Sequence, residues 1–115
     1  MQGELTTDFE NQAGVLIVRP RGSLSGFVED WTQDVEGRLR PEVRGLVLNM
    51  SGVSFISSRA LGQLLHLHKL MTGRRSRLHL ASPSEVVVDS LEVAGLDTLL
   101  FIFPTEAEAV AAYAG

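Results

Sequence analysis

Apolar positions along this chain obey two different periods, and the two alternate. Val15-Leu16-Ile17-Val18 and Leu46-Val47-Leu48 are nearly unbroken aliphatic runs, the mark of short strands covered on both faces. Arg77-Leu78-His79-Leu80, within 76–81, reads as a third buried strand, and Leu99 to Phe103 as a fourth, ended by Pro104. Between these runs the spacing changes to three and four. Val28, Trp31, Val35 and Leu39 form one stripe, and Leu61, Leu64, Leu65, Leu67 and Met71 a second, with His68 in its arc. Val87, Val88 and Leu91 form a third. Such stripes predict helices over Ser25–Leu39, about Ser58–Thr72, and from Ser84 to Gly95.

Punctuation supports these boundaries. Pro41 stops the first helix and Gly73 suits a helix C-cap. Thr105 with Glu108 makes a capping box that opens a last helix through Ala109, Val110 and Tyr113. At the front, residues 4–10 alternate loosely, Leu5 and Thr7 on one face, Thr6 and Asp8 on the other. The turn cluster Asn11-Gln12-Ala13-Gly14 joins them to a strand over 15–20, which Pro20 and Gly22 end, giving a hairpin. Gly52 reads as a turn and Phe55-Ile56 as an apolar lead-in to the second helix.

The order is therefore strand, strand, helix, strand, helix, strand, helix, strand, helix. It predicts an α/β fold: one domain over 1–115, with a mostly parallel four- to five-stranded sheet, an N-terminal β-hairpin and about four helices. The chain has 115 residues, 44% hydrophobic and 21% charged, an ordinary globular composition. The absence of cysteine excludes disulfides and thiolate metal sites. A net charge of −4 disfavours nucleic acid as the main partner. The basic run Arg74-Arg75-Ser76-Arg77 reads as a solvated helix end and turn rather than a phosphate-binding patch. No run approaches a membrane span and Met1 to Leu5 lack a signal-peptide pattern. The expectation is a soluble cytoplasmic protein without membrane insertion.

His66 and His68 are two apart and do not share a helix face, so no metal site or cofactor is expected. His68 reads as a hydrogen-bonded core residue and Trp31 as core. The acids Glu29, Asp30, Gln33's neighbour Asp34, and Glu36 read as a solvated helix face. A serine before a helix in an α/β sheet invites a hydrolase reading. That chemistry needs a Gly-x-Ser-x-Gly turn and a base with an orienting acid, and Ile56-Ser57-Ser58-Arg59-Ala60 does not supply them. A non-enzymatic role is expected.

The informative stretch is Gly52 to Gly62, where an apolar strand leads through two adjacent serines into the second helix. A helix start presents free N–H groups and partial positive charge. Serine suits it as a cap, and an added phosphate would be held there rather than repelled. This stretch, with Leu46 to Ser51 before it, resembles the STAS domain of bacterial anti-sigma factor antagonists, with its Asp-Leu-Ser-Gly-Val turn and Asp-Ser-Ser-Gly-Leu-Gly motif. Leu91-Glu92-Val93-Ala94-Gly95-Leu96-Asp97 resembles the family's Leu-Glu-x-x-Gly-Leu-Asp, and Phe101-Ile102-Phe103-Pro104 with Glu106 and Ala109 its closing strand and helix. The resemblance covers nearly the whole chain.

What the resemblance implies is a binding module. It would bind an anti-sigma factor that is also a serine kinase, releasing a sigma factor, and be reset by a serine phosphatase. The phosphorylated serine would be Ser58, with Ser57 as runner-up, and the docking surface would include Ser25, Ser57, Ser58, Arg59, Leu61 and Gly62. Ser57, Ser25 and Asn49 stand where the family usually has acids, and Arg59 and Ala60 replace its second serine and glycine. Arg59 would pair with a phosphate on Ser58 or with an acidic partner, or point into solvent. The alternative is an unphosphorylated adaptor subunit of a signalling assembly or lipid-transport complex.

Overall fold

The computed structural model describes residues 5–26 and 28–113. Six strands and four helices follow one another as β1 (Thr6–Gln12), β2 (Val15–Leu24), α1 (Val28–Gly37), β3 (Gly45–Asn49), β4 (Val53–Ile56), α2 (Ser58–Gly73), β5 (Leu78–Ala81), α3 (Glu85–Ala94), β6 (Phe101–Phe103) and α4 (Glu106–Ala111). A 3₁₀ turn, Leu96–Thr98, precedes β6. The sheet order is β1-β2-β3-β5-β6, antiparallel between β1 and β2 and parallel elsewhere, with β4 also paired to β2. This is the expected α/β sheet with its N-terminal hairpin.

Three boundaries differ from the sequence reading, each for a local reason. The hairpin turn is two residues, Ala13 and Gly14, both at positive φ (55° and 86°), as a tight turn matching the strand twist requires. Asn11 and Gln12 therefore belong to β1. β2 does not stop at Pro20 but runs on to Leu24. Its first part pairs with β3, Val15–Val18 on Gly45–Leu48, and its last part with β4, Gly22–Leu24 on Val53–Ile56. Pro20 falls in the gap between the two, where a missing N–H costs no ladder bond to either. The lead-in at Phe55-Ile56 is itself part of a strand, β4, which continues the row of β3. Its burial runs buried, exposed, exposed, buried, so it lacks the alternation that would reveal it.

The parallel strands separate two cores of unequal size. Leu16, Val18, Leu46, Leu48, Leu78 and Leu80 face α1, α2 and α3 and join Trp31, Val35, Leu64, Leu67, Met71, Val87 and Leu91. Val15, Ile17, Val47 and Ala81 face the other way, toward α4, and pack on Ala109 with Phe103, Val110 and Tyr113. Trp31 is core, as expected, although its indole N–H has no partner among the described residues. His68 departs from expectation: it is half-buried and its Nδ1 is buried without a hydrogen bond.

Helix ends follow ordinary capping chemistry. The Ser84 hydroxyl accepts from Val87 N, Gly95 closes α3 at φ 75°, and the Thr105 hydroxyl accepts from Glu108 N. Gly73, expected as a C-cap, is instead the last residue of α2. The left-handed residue is Arg75 (φ 60°), with Arg75 N donating to Thr72 O and Ser76 N to Met71 O, a Schellman closure. Arg74 is not merely solvated: its guanidinium donates to the carbonyls of Leu39, Arg40 and Val43, tying the end of α2 to the loop after α1.

The small α4 helix is held by polar contacts at both ends. Arg19 of β2 reaches Glu106 (2.8 Å) as well as Asp8 (2.8 Å) and Glu10 (2.6 Å) of β1. Asn49 Nδ2 donates to Glu106 Oε1 at 2.9 Å. At the other end Tyr113 stacks on buried His79, ring centroids 3.9 Å apart, and its hydroxyl donates to the Leu46 carbonyl. The Tyr113 ring also lies against Gly45, where a Cβ would come within 2.7 Å of ring carbons. Burial pushes the Tyr113 phenol up to about 12. Gly45→Ala is therefore expected to destabilise the fold by about 1–3 kcal/mol, as overpacking does, read as a lowered urea midpoint with unchanged slope.

Acid should loosen this face in two steps. The Arg19 guanidinium beside Glu106 holds its carboxyl below the ordinary 4.5, and burial lowers His79 below the ordinary 6.5. Both folded pKa values lie below the unfolded ones, so both contributions are complete above those ordinary values and are lost as pH falls. Urea midpoints should decline first below about pH 6.5 and again below about pH 4.5. Glu106→Gln should remove the second decline and leave the first.

Candidate docking and switch site

The site begins at the end of β3. Asn49 Oδ1 accepts from Ser51 N at 3.0 Å, turning the chain, and Gly52 then passes close over β2. A Cβ on Gly52 would stand 3.0 Å from the Pro20 carbonyl, and Gly22 N donates to Gly52 O at 2.9 Å. This crossing delivers β4 alongside the end of β2, and the pairing of Leu24 with Ile56 sets where the next residue emerges. Ser57 N donates to Leu24 O at 3.0 Å. Residues 22–25 and 56–58, distant in sequence, are thereby held at one edge of the sheet.

The two serines have different environments. Ser57 is the N-cap, extended at φ −85° and ψ 166°, half-buried, its hydroxyl accepting from Ala60 N at 3.1 Å. Ser58 is the first helical residue and is exposed, and its hydroxyl makes no hydrogen bond among the described residues. It sits over the free N–H groups and positive end of a sixteen-residue helix that carries no acid in its first turn. Ser25 lies in the loop before α1, half-buried, its Oγ 2.8 Å from Ser23 Oγ.

Arg59 neither points freely into solvent nor stands alone. Its Nε is 2.7 Å from Glu29 Oε2 on α1, both side chains well exposed. Glu29, read from the sequence as part of a solvated face, thus belongs to the rim of the site. Further along, His66 Nε2 lies 3.0 Å from Glu36 Oε1, a second link between α2 and α1. Leu61 is half-buried against the main core, and Gly62 is exposed with nothing within 4 Å of where its Cβ would be. Ala60 is buried.

Two placements revise the sequence reading. Asn49, one of the three residues standing where the family usually has acids, is turned to the α4 face of the sheet and bonded to Glu106 rather than to the serine pair. The neutral groups nearest Ser58 are therefore Ser57 and, at and just past the end of β2 where it pairs with β4, Ser23 and Ser25. Phe55, expected as part of an apolar lead-in, instead has its side chain half exposed on β4, one residue before Ile56. Its signal was faint because four residues are too few to show a strand period. Among the described residues no three His, Cys, Asp or Glu side chains are grouped to hold a metal ion, and no helix is long and apolar enough to cross a membrane.

The strand-turn-helix with its serine pair lies inside a longer match: residues 6–109 fit the STAS domain family. The chain belongs to the STAS domain family. Its fold is similar to that of an anti-sigma factor antagonist from Mycobacterium paratuberculosis, with a TM-score of 0.88 at 21% identity, covering 97% of this chain and 96% of that one. The anti-sigma factor antagonist SpoIIAA in its unphosphorylated form gives a TM-score of 0.79 at 22% identity, covering 91% and 93%. By sequence, the STAS chain is 33% identical over 93 residues to high affinity sulfate transporter 2 of Stylosanthes hamata. That match takes in 78% of this chain but only 14% of the transporter, so the chain spans a small part of such a relative.

The capping geometry separates the serines by stability. Ser57→Ala should cost about 1 kcal/mol, the ordinary loss of an N-cap. Ser58→Ala should change stability by less than about 0.5 kcal/mol, as exposed substitutions do. Urea denaturation of the two variants checks this.

Proposed function

We propose that this STAS domain is an anti-sigma factor antagonist, a binding module rather than an enzyme, switched by phosphorylation of Ser58. The observation that carries this reading is the division of labour at the start of α2. The Ser57 hydroxyl is already committed to the cap, whereas Ser58 is exposed and unengaged. A kinase can reach it without dismantling the helix. A phosphate there adds nearly two negative charges, which the N–H groups of α2 tolerate. The fold need not change; the effect falls on whatever docks over Ser25, Ser58, Arg59, Leu61 and Gly62.

The unmodified face is nearly neutral, with small side chains and one ion pair, and suits close approach of a partner surface. The partner in this reading is an anti-sigma factor with serine kinase activity, and a serine phosphatase resets the switch. Phosphorylation would also offer Arg59 a dianion in place of the Glu29 carboxylate. A cytoplasmic location follows from this role.

One observation favours a second reading, an adaptor or regulatory domain within a transport assembly. Identity to the plant sulfate transporters, 33%, exceeds the 21% and 22% to the antagonist structures. Incubation with candidate anti-sigma kinases and ATP, followed by mass spectrometry, separates the two. The antagonist reading expects one phosphate, on Ser58. Ser58→Ala should bind the kinase as the natural chain does, and Ser58→Asp at least tenfold more weakly by calorimetry. Equal binding of both variants overturns the switch, and binding to a transporter subunit with no kinase partner favours the second reading.

A further inference from the structure

At the end of the sheet opposite the serine pair, basic residues gather without acidic counterparts. Arg44 and Arg77 immediately precede β3 and β5, and Arg75 stands in the turn after α2. With Ser76, His79 and Tyr113 they line an open depression of about 430 Å³. A second of about 520 Å³ adjoins it, sharing Arg44, Arg75 and Ser76 and adding Arg74. No carboxylate among the described residues lines either one, and none of these arginines takes part in a salt bridge there. In a chain of net charge −4 this is a concentrated reversal of sign.

The arginines are placed rather than loose. Arg44 Nε donates to Ala13 O at 3.1 Å and its Nη1 to Tyr113 O at 2.7 Å, while its other amino group has no partner among the described residues. The Arg77 guanidinium lies over the Phe101 ring, 4.5 Å from its centre. Arg75 is the most telling. It holds the left-handed position of the Schellman closure, φ 60°, where glycine is the unstrained choice. The fold accepts that strain while keeping a cation at the mouth of the depression.

Against the expectation that Arg74-Arg75-Ser76-Arg77 is only a solvated helix end, we propose that this arginine-rimmed depression, to which Arg44 also contributes, binds a small phosphate-bearing polyanion of the diphosphate class. Guanidinium groups match phosphate oxygens in pairs, and the volume is that of a small-ligand site. The site is separate from the Ser58 face and does not depend on the switch.

The test is an amide NMR titration of the full chain with sodium pyrophosphate, ionic strength held constant with sodium chloride. The expected result is saturable shifts centred on Arg44, Arg75, Ser76 and Arg77. Arg75→Gln with Arg77→Gln should raise the half-saturation concentration at least tenfold, while Arg21→Gln with Lys69→Gln leaves it within twofold. Arg75→Gly should hold or raise the thermal midpoint while weakening binding at least threefold. A parallel titration with sodium sulfate should bind at least tenfold more weakly than pyrophosphate; equal affinity overturns the diphosphate class. Shifts that do not saturate, or binding that survives in the Arg75/Arg77 variant, overturn the site.

Discussion

β2 has to satisfy three neighbours at once, and the remaining architecture is arranged around that demand. One edge is filled by β1 for seven residues, the other by β3 and then β4. A single straight partner strand would have met Pro20 midway, with no N–H to offer. The chain instead breaks off at Asn49, crosses over Gly52 and resumes at Val53. The break places the start of α2 beside the end of β2, so a helix N-terminus and the Ser25 loop share one edge. The proposed docking face is thus a by-product of how an interrupted strand completes its hydrogen bonds.

The two faces of the sheet are held by different physics. The α1, α2 and α3 side is a broad aliphatic core. The α4 side has a small core and leans on Arg19, Glu106, Asn49, His79 and Tyr113. Its hold is directional: a carboxylate shared between a guanidinium and an amide at one end, a ring stacked on an imidazole and close to a glycine at the other. Such contacts fix where a short helix sits better than a few methyl groups can. The acid response expected of Glu106 and His79 therefore falls on the side away from the serines.

The helices and buried strands were legible in the sequence because their periods extend over enough residues to be unambiguous. β4 was not, since it has four residues and its inward pair, Val53 and Ile56, are three apart. Pro20 misled for the opposite reason: a residue that ordinarily ends a strand is harmless where the strand is between partners. At the site, motif position singled out Ser58, but only geometry distinguishes it from Ser57, because capping is a matter of which hydroxyl faces which N–H. Asn49 shows the limit of reading by position. Strand alternation turns it to the α4 face, away from the residues it adjoins in the motif. Arg59 and Glu29 lie on different helices, and no sequence period links them.

The crossing between β3 and β4 carries a rule about length. From Val18 to Leu24 is six steps along β2, while the paired residues Leu48 and Ile56 are eight steps apart. That excess of two is divided: one residue lies in the turn, since Gly22 is four steps from Val18 while its partner Val53 is five from Leu48, and one lies at the register shift between Gly22 and Ser23. The shift lets Val53 and Ile56, three apart, both face the large core with Leu48. Removing Ser54 would restore simple alternation and turn one of the two outward. The length of β4 is therefore as constrained as that of the turn before it, because together they decide where α2 begins.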